Sequence, residues 1–333
     1  MNALYLGWGR PNAWGEALAA DLGARVIFTG ATEVPSGVFH RAPLRYWWDL
    51  KRSLNTIAQV RPDLLIWQVP PSVAPIVIHG GKRLSKVPWG LDVHSGTINL
   101  LRWRWLLPAL RRTAKGALFT VVHNDEIARM IHPWPSPVTV VDNYVVSMSQ
   151  RSLTTVRSPH GPIVVAASGG SDEPLRVVIM AANLLGDDYK FVITGRETAV
   201  RRRLGTIPLP KNVHLTDFLP RGDYLELLTT ASITVCLTVR SATMQLGAWE
   251  AVSLGCPVIV SDHAVLRRYF RQGAEFADND PVSLAECIRV VKANYNAYIA
   301  SAASMATRMR AGRERQINSL RKQISVYFSQ APS

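Results

Sequence analysis

The chain has 333 residues, 47% of them hydrophobic, and 38 Lys/Arg stand against 24 Asp/Glu for a formal net charge of +14. That length suits two domains of roughly 150 residues rather than one core, and the charge calls for an anionic partner: nucleic acid, anionic lipid or a phosphorylated metabolite. No apolar run reaches the roughly 18 to 20 residues that cross a bilayer, the first residues lack a secretory-signal pattern, and Cys236, Cys256 and Cys287 fit reduced core thiols rather than a disulfide framework or zinc site.

In chain order, Ala3 to Leu6 reads as a strand that runs into Gly7-Trp8-Gly9. A helix over about Asn12 to Leu22 puts Trp14, Leu18 and Leu22 on one face, and Gly23 ends it before a strand at Arg25 to Thr29. Asn12 stands where the third glycine of a dinucleotide fingerprint belongs, which argues against a nicotinamide or flavin site. A helical pattern over Arg45 to Val60 precedes the strand Leu64 to Val69, which Pro70-Pro71 stops. Trp89 to Gly96 reads as a strand end entering a loop, and Leu100 to Gly116 as one helix. Phe119 to His123 is a strand, Asn124 caps a short helix, and Val138 to Val141 is the next strand. These alternations define a first α/β domain, 1–146.

A polar stretch without periodicity, 147–162, reads as a linker. A second α/β domain, 163–310, has strands at Ile163 to Ala167, Phe191 to Thr194, Val213 to Leu215 and Ile233 to Leu237, with helices at Pro174 to Leu185 and Gly222 to Thr230. A polar loop at Ser241 then opens onto a helix from about Met244 to Gly255; Pro257 forbids its continuation, and an apolar strand leads into Ser261-Asp262. The tail from about Pro281 is helical, and 311–333 is expected to pack back toward the first domain.

Glu250-Ala251 followed by Gly255-Cys256-Pro257-Val258-Ile259-Val260-Ser261 resembles the donor-binding segment of the GT-B glycosyltransferases, in particular retaining family 4. The family pattern is Glu, seven residues, Glu-Ala, then Gly-x-Pro-Val-Ile and a small residue; here Ala242 occupies the place of the first Glu. The resemblance covers Ile163 to Asp262 closely, and the first domain in outline through Gly9, the element leading to His94, and Val140-Val141-Asp142-Asn143. It implies two Rossmann-like domains facing each other across a cleft, with transfer of a sugar from a nucleotide-diphosphate sugar and neither metal nor cofactor. The family's Arg and Lys for the leaving diphosphate are missing from Ser168 to Pro174. Arg176, Arg196 and Arg240 are therefore the candidates to stabilise its charge.

In open parallel sheets, ligands gather beyond the carboxyl ends of strands at the switch in strand order. Gly9, Asp92, His94, Gly169, Gly195, Arg196 and the 241–250 segment all fall at such ends. The amides of Thr243, Met244, Gln245 and Leu246 open a helix, a favourable place for a diphosphate. The resemblance implies that Glu250 holds ribose hydroxyls, that Leu219 joins the donor site, that His94 contacts the donor sugar, and that Gly9 lies on the sugar or acceptor loop. Asp92 and His94, two apart at a strand end, can face the same way and have the make-up of a base with its orienting partner, the alternative being a turn-capping Asp92 beside a satisfied polar His94. His123, His132 and His214 read as structural, Trp249 as core, and no cluster reads as a metal site.

Nine of the ten tryptophans precede residue 135, several beside arginine: Trp47-Trp48 before Lys51-Arg52, and Arg102-Trp103-Arg104-Trp105. Such helices suit an anionic membrane surface and hence a lipid-linked or glycan acceptor, while buried tryptophans with arginines reaching to water remain open. The expectation is a cytoplasmic glycosyltransferase, with peripheral attachment at the inner face of the plasma membrane left open. The alternatives are a non-catalytic GT-B protein binding glycan or nucleotide, and an inverting enzyme using Asp92 as base. Nucleic acid is disfavoured as a partner, since no recognition motif or basic arm is present.

Overall fold

The computed structural model describes residues 1–9, 11–30, 42–81, 84–146, 157–241 and 243–330. Ala242 and the greater part of the expected linker, 147–156, lie outside the described residues. Two compact units emerge: Met1–Tyr144 with the chain from Gly312 onward, and Val145–Ala311.

The first unit runs β1 (Ala3–Trp8), α1 (Ala13–Asp21), β2 (Ala24–Thr29), α2 (Ala42–Val60), β3 (Leu64–Val69), α3 (Val73–His79), β4 (Trp89–Val93), α4 (Ser95–Asn99), α5 (Leu101–Arg104), α6 (Leu107–Thr113), β5 (Thr120–Val122), α7 (Asp125–Ile131) and β6 (Val138–Val140). Its strands pair in parallel in the order β2-β1-β3-β4-β5-β6. A parallel sheet is covered on both faces, so its strands are apolar almost throughout. In β1 the alternation of side chains sends Leu4 and Leu6 into one core and Ala3 and Tyr5 into another, on the opposite face. Asn12 fixes the start of α1 by accepting the Gly15 amide at 2.9 Å.

The second unit runs β7 (Ile163–Val165), α8 (Leu175–Leu185), β8 (Phe191–Ile193), α9 (Glu197–Leu204), β9 (Val213–Leu215), α10 (Arg221–Thr230), β10 (Ile233–Cys236), α11 (Leu246–Ser253), β11 (Val258–Ser261), α12 (Ala264–Tyr269), β12 (Ala274–Ala277) and α13 (Pro281–Ala293). Its parallel sheet has the order β12-β11-β10-β7-β8-β9. Here too successive residues part: Ile163 and Val165 join one core, Val164 the other. The last helix, α14 (Tyr295–Gln330), gives Met305 and Met309 to the core of the second unit and Ile317, Leu320 and Ile324 to that of the first.

Two sheets of six strands among the described residues, each flanked by helices, make up the α/β architecture expected from the alternation of elements. The expected helix over 100–116 is instead broken at Trp105 into α5 and α6, and α11 begins at Leu246, two residues later than expected. Trp249 is buried, as its apolar setting predicts.

Candidate donor site and acid–base cluster

Strand periodicity explains the polar face at the carboxyl edge of the first sheet. Leu91 and Val93 of β4 enter one core, so Asp92 and, two residues on, His94 point the other way. Gln68 of β3 and Val121 of β5 both stand opposite Asp92 in register. Gln68 therefore shares its face, and so does His123, two residues beyond Val121.

Asp92 is fully buried. Its Oδ2 accepts the Tyr5 hydroxyl at 2.5 Å and the Trp14 indole N–H at 2.9 Å, and lies 3.1 Å from His94 Nε2. The other oxygen lies 3.5 Å from His123 Nε2, and the His94 and His123 rings meet edge-on with centroids 4.1 Å apart. His94 Nε2 is also 2.9 Å from the Gln68 amide nitrogen, whose own oxygen accepts from Asn12 Nδ2 at 3.1 Å. One imidazole nitrogen thus faces a donor and an acceptor. Protonated, it donates to Asp92; bare, it accepts from Gln68, so it has a partner in either state.

Burial opposes charge on Asp92, but the neighbouring His94 and His123 outweigh it, and the carboxyl is held well below the usual carboxylate range. Burial, reinforced by His94, lowers His123 to about 4. Tyr5 is pushed well above its ordinary value, first by burial and then by the charge of Asp92. Asp92, His94 and His123 present ligand atoms all within 4.8 Å of one another, a spacing that a metal ion can use and that the sequence reading does not anticipate. Asp92 Oδ2 and His94 Nε2 are engaged by Tyr5, Trp14 and Gln68, whereas Asp92 Oδ1 and His123 Nε2 are buried without a hydrogen-bond partner.

In the second sheet the chain runs outward from β7 through β8 to β9, then returns to lay β10, β11 and β12 on the other side. The switch point therefore lies at the carboxyl ends of β7 and β10, where ligands of such sheets collect. The loops that follow these two strands are tied together. Val239 N donates to Asp172 O at 2.8 Å, Thr238 Oγ1 to Asp172 Oδ2 at 3.1 Å, and Arg240 Nη1 lies 3.4 Å from Asp172 Oδ1. Glycine is required nearby: Gly169 and Gly195 have φ of +79° and +99°, and a Cβ would stand 2.6 Å from Ala199 Cβ and from Ala167 O, respectively.

Thr243, Met244 and Gln245 are half-buried ahead of α11, whose start is not capped by the Gln245 side chain. The Thr243 hydroxyl is buried without a hydrogen-bond partner. Glu250, in the second turn of α11, is 3% exposed, and its Oε1 lies 2.9 Å from Arg221 Nη2. Leu219 is half-buried just before α10. Of the other basic candidates, Arg196 lies over the Phe218 ring at 5.4 Å, and Arg176 is exposed with its guanidinium beside Gly205. In the first unit Gly9 follows β1 with φ of +131° and donates its amide to Thr29 O at 2.7 Å.

Residues 163–294 match the family model described as "Glycosyl transferases group 1". That match lies within the second unit, Val145–Ala311. No curated protein matches the sequence. Among solved structures, the chain is similar to HepE (Alr3699) of Anabaena in complex with UDP, at 15% identity and a TM-score of 0.69, covering 99% of this chain and 100% of that one. Sucrose-phosphate synthase from Thermosynechococcus elongatus gives 14% identity and 0.70, covering 99% and 100%. UDP-GlcNAc 2-epimerase from Neisseria meningitidis bound to UDP-GlcNAc gives 14% and 0.61, covering 97% and 99%. At such identities the likeness establishes the fold, which is GT-B.

Three residues around these two clusters escape sequence reading. His123, set aside there as structural, stands against Asp92 and His94. The signal lies in two adjacent strands that both end in Val-His, Val93-His94 and Val122-His123. Arg221, the partner of Glu250, is 29 positions away from it and gives no local signal. Glu173, whose carboxylate binds the amides of Ser168, Gly169 and Gly170, lies in a segment whose sequence signals only the absence of the family's Arg and Lys.

Proposed function

We propose that the protein transfers a sugar from a uridine-diphosphate sugar to a glycan or lipid-linked acceptor, without a metal ion. The observation that carries this reading is the group 1 glycosyltransferase match over 163–294, a segment that includes both loops of the β7/β10 switch point. UDP accompanies the structure of HepE, and UDP-GlcNAc that of the epimerase. In this reading the diphosphate meets the amides that open α11, and Arg240 offsets the charge developing on the leaving group. Glu250, with one oxygen held by Arg221, receives the ribose. His94 moves the acceptor proton and is the catalytic residue, while Asp92 and Gln68 position it and complement its two protonation states.

The acceptor reading draws on exposed apolar side chains of the first unit. Trp47 is 63% exposed, Leu101 80% and Trp105 75%, with Lys51 lying over the Trp48 ring at 5.6 Å. α2 and α5 meet through Tyr46 and Trp103, whose ring centroids are 5.8 Å apart, so these side chains belong to neighbouring helices. Aromatic rings flanked by arginine and lysine suit an anionic headgroup layer. No helix among the described residues is long and apolar enough to cross a membrane.

The test is UDP release from a panel of UDP-sugars, with and without glycan and lipid-linked acceptors. Release should depend on acceptor, and His94→Gln should lower kcat by about 100-fold or more with little change in the KM for donor. Tight UDP-sugar binding with no release under any condition would leave a non-catalytic binding protein, and acceptor-independent conversion of UDP-GlcNAc would favour epimerisation.

A further inference from the structure

The loop after β7 already holds an anion, and that anion is its own side chain. Both oxygens of the Glu173 carboxylate lie 3.0 Å from Ser168 N. Oε2 also accepts the Gly169 and Gly170 amides at 2.8 and 2.9 Å, and Oε1 the Ser168 hydroxyl at 2.8 Å. Three consecutive backbone N–H groups and a hydroxyl thus converge on one carboxylate. Successive amides of this kind form a concave anion site that takes phosphate as readily as carboxylate. Gly169 makes it possible, because its φ of +79° turns neighbouring amides to the same side.

Its position bears on what else fits. The site is at the carboxyl end of β7, on one side of the switch point, where the sheet geometry favours a ligand. The main chain beyond it is anchored without help from Glu173. Asp172 is bound to Thr238, Val239 and Arg240, and Ser171 O accepts from Arg203 Nη2 at 2.8 Å. Glu173 is half-buried, and rotation of its side chain alone would vacate the amides. Arg203 and Arg240 would remain on Ser171 and Asp172, the residues that follow in the same loop.

We propose that Glu173 is a built-in competitor: its carboxylate occupies a diphosphate subsite and yields it when the donor binds. The proposal deepens the donor reading above and rests on it for the identity of the natural ligand. It explains how a loop without the family's Arg and Lys serves a diphosphate, since neutral amides and a hydroxyl form the subsite once the carboxylate leaves. Binding then carries the cost of displacing five hydrogen bonds, so donor affinity is held below what the subsite allows.

The experiment is calorimetric titration of the full chain, wild type, Glu173→Gln and Glu173→Ala, with inorganic pyrophosphate and separately with UDP, alongside each variant's melting midpoint. Removing the carboxylate should tighten pyrophosphate binding about tenfold in Glu173→Ala and less in Glu173→Gln, whose amide oxygen still competes. If neither variant gains pyrophosphate affinity, Glu173 merely braces the loop and the proposal falls, whatever UDP does. A gain for pyrophosphate with no UDP binding to any form would keep the subsite and overturn the uridine donor. Should Glu173→Ala fail to fold, Glu173→Gln decides alone, since it preserves the size and an acceptor of the side chain.

Discussion

Tyr5 and Trp14 donate to one oxygen of Asp92, His94 stands beside the same oxygen and a second imidazole flanks the other, so protonation in this cluster is shared among neighbours. His123 is the member whose state should be easiest to read out. Its folded value near 4 is below the ordinary 6.5 of an unfolded histidine. As pH falls below 6.5 the unfolded chain gains a proton there and the folded protein does not. Stability from this group is therefore complete above about pH 6.5 and declines between 6.5 and 4, by about 2 kcal/mol on reaching pH 5. The depressed Asp92 acts in the same direction at still lower pH. The drop in melting midpoint from pH 7 to pH 5 should be smaller in His123→Gln than in wild type. An equal drop would show that His123 titrates normally in the fold. Asp92 and His94 could be read as a pair because two residues apart on a strand is a local relation. Tyr5, Trp14 and His123 could not, because strand order brings Tyr5 and His123 there and the packing of α1 brings Trp14.

At the scale of elements, the central strands were legible because a parallel sheet buried on both faces demands mostly apolar runs, as in Leu64–Val69 with its single Gln68 and Val258–Ser261 with its terminal Ser261. Short elements were not. β12 (Ala274–Ala277) includes a glutamate, and α9 (Glu197–Leu204) buries only Val200 and Leu204, too few positions to set a helical period. The break at Trp105 also has consequences. Leu100–Gly116 reads as one amphipathic run, whereas two short helices bury Trp103, at 6% exposure, and leave Trp105 outside. Replacing Trp103 would thus remove core packing, at about 3 to 5 kcal/mol. The exposed tryptophans of α2 and of the turn after α5 are Trp47, Trp48 and Trp105. Wild type should co-sediment with phosphatidylglycerol vesicles and far less with phosphatidylcholine. Trp47→Ala, Trp48→Ala and Trp105→Ala together should release it while the fold persists, surface changes being worth a few tenths of a kcal/mol each. Retention of the triple variant on anionic vesicles would exclude these helices as the anchor.

For the whole molecule, the charge of +14 is carried by both units, more by the first: 1–144 with 312–333 hold 20 Lys/Arg against 10 Asp/Glu, and 145–311 hold 18 against 14. Both units are therefore basic in their own right, which accords with an anionic donor on one and an anionic surface on the other. Length and alternation conveyed the two-unit α/β plan. The helix end, turn and buried strand at Gly255-Cys256-Pro257-Val258-Ile259 were legible because they are encoded within a few residues, and the donor reading of that segment came from the family resemblance. The partners that complete the site, Arg221 for Glu250 and Asp172 for Arg240, come from other elements and emerge only on folding. The central claim is that a nucleoside diphosphate sits at the switch point of the second sheet. Backbone hydrogen exchange with and without saturating UDP tests it most directly: protection should rise in 166–174 and 243–250. Protection confined to the first unit, or no change anywhere, would contradict it.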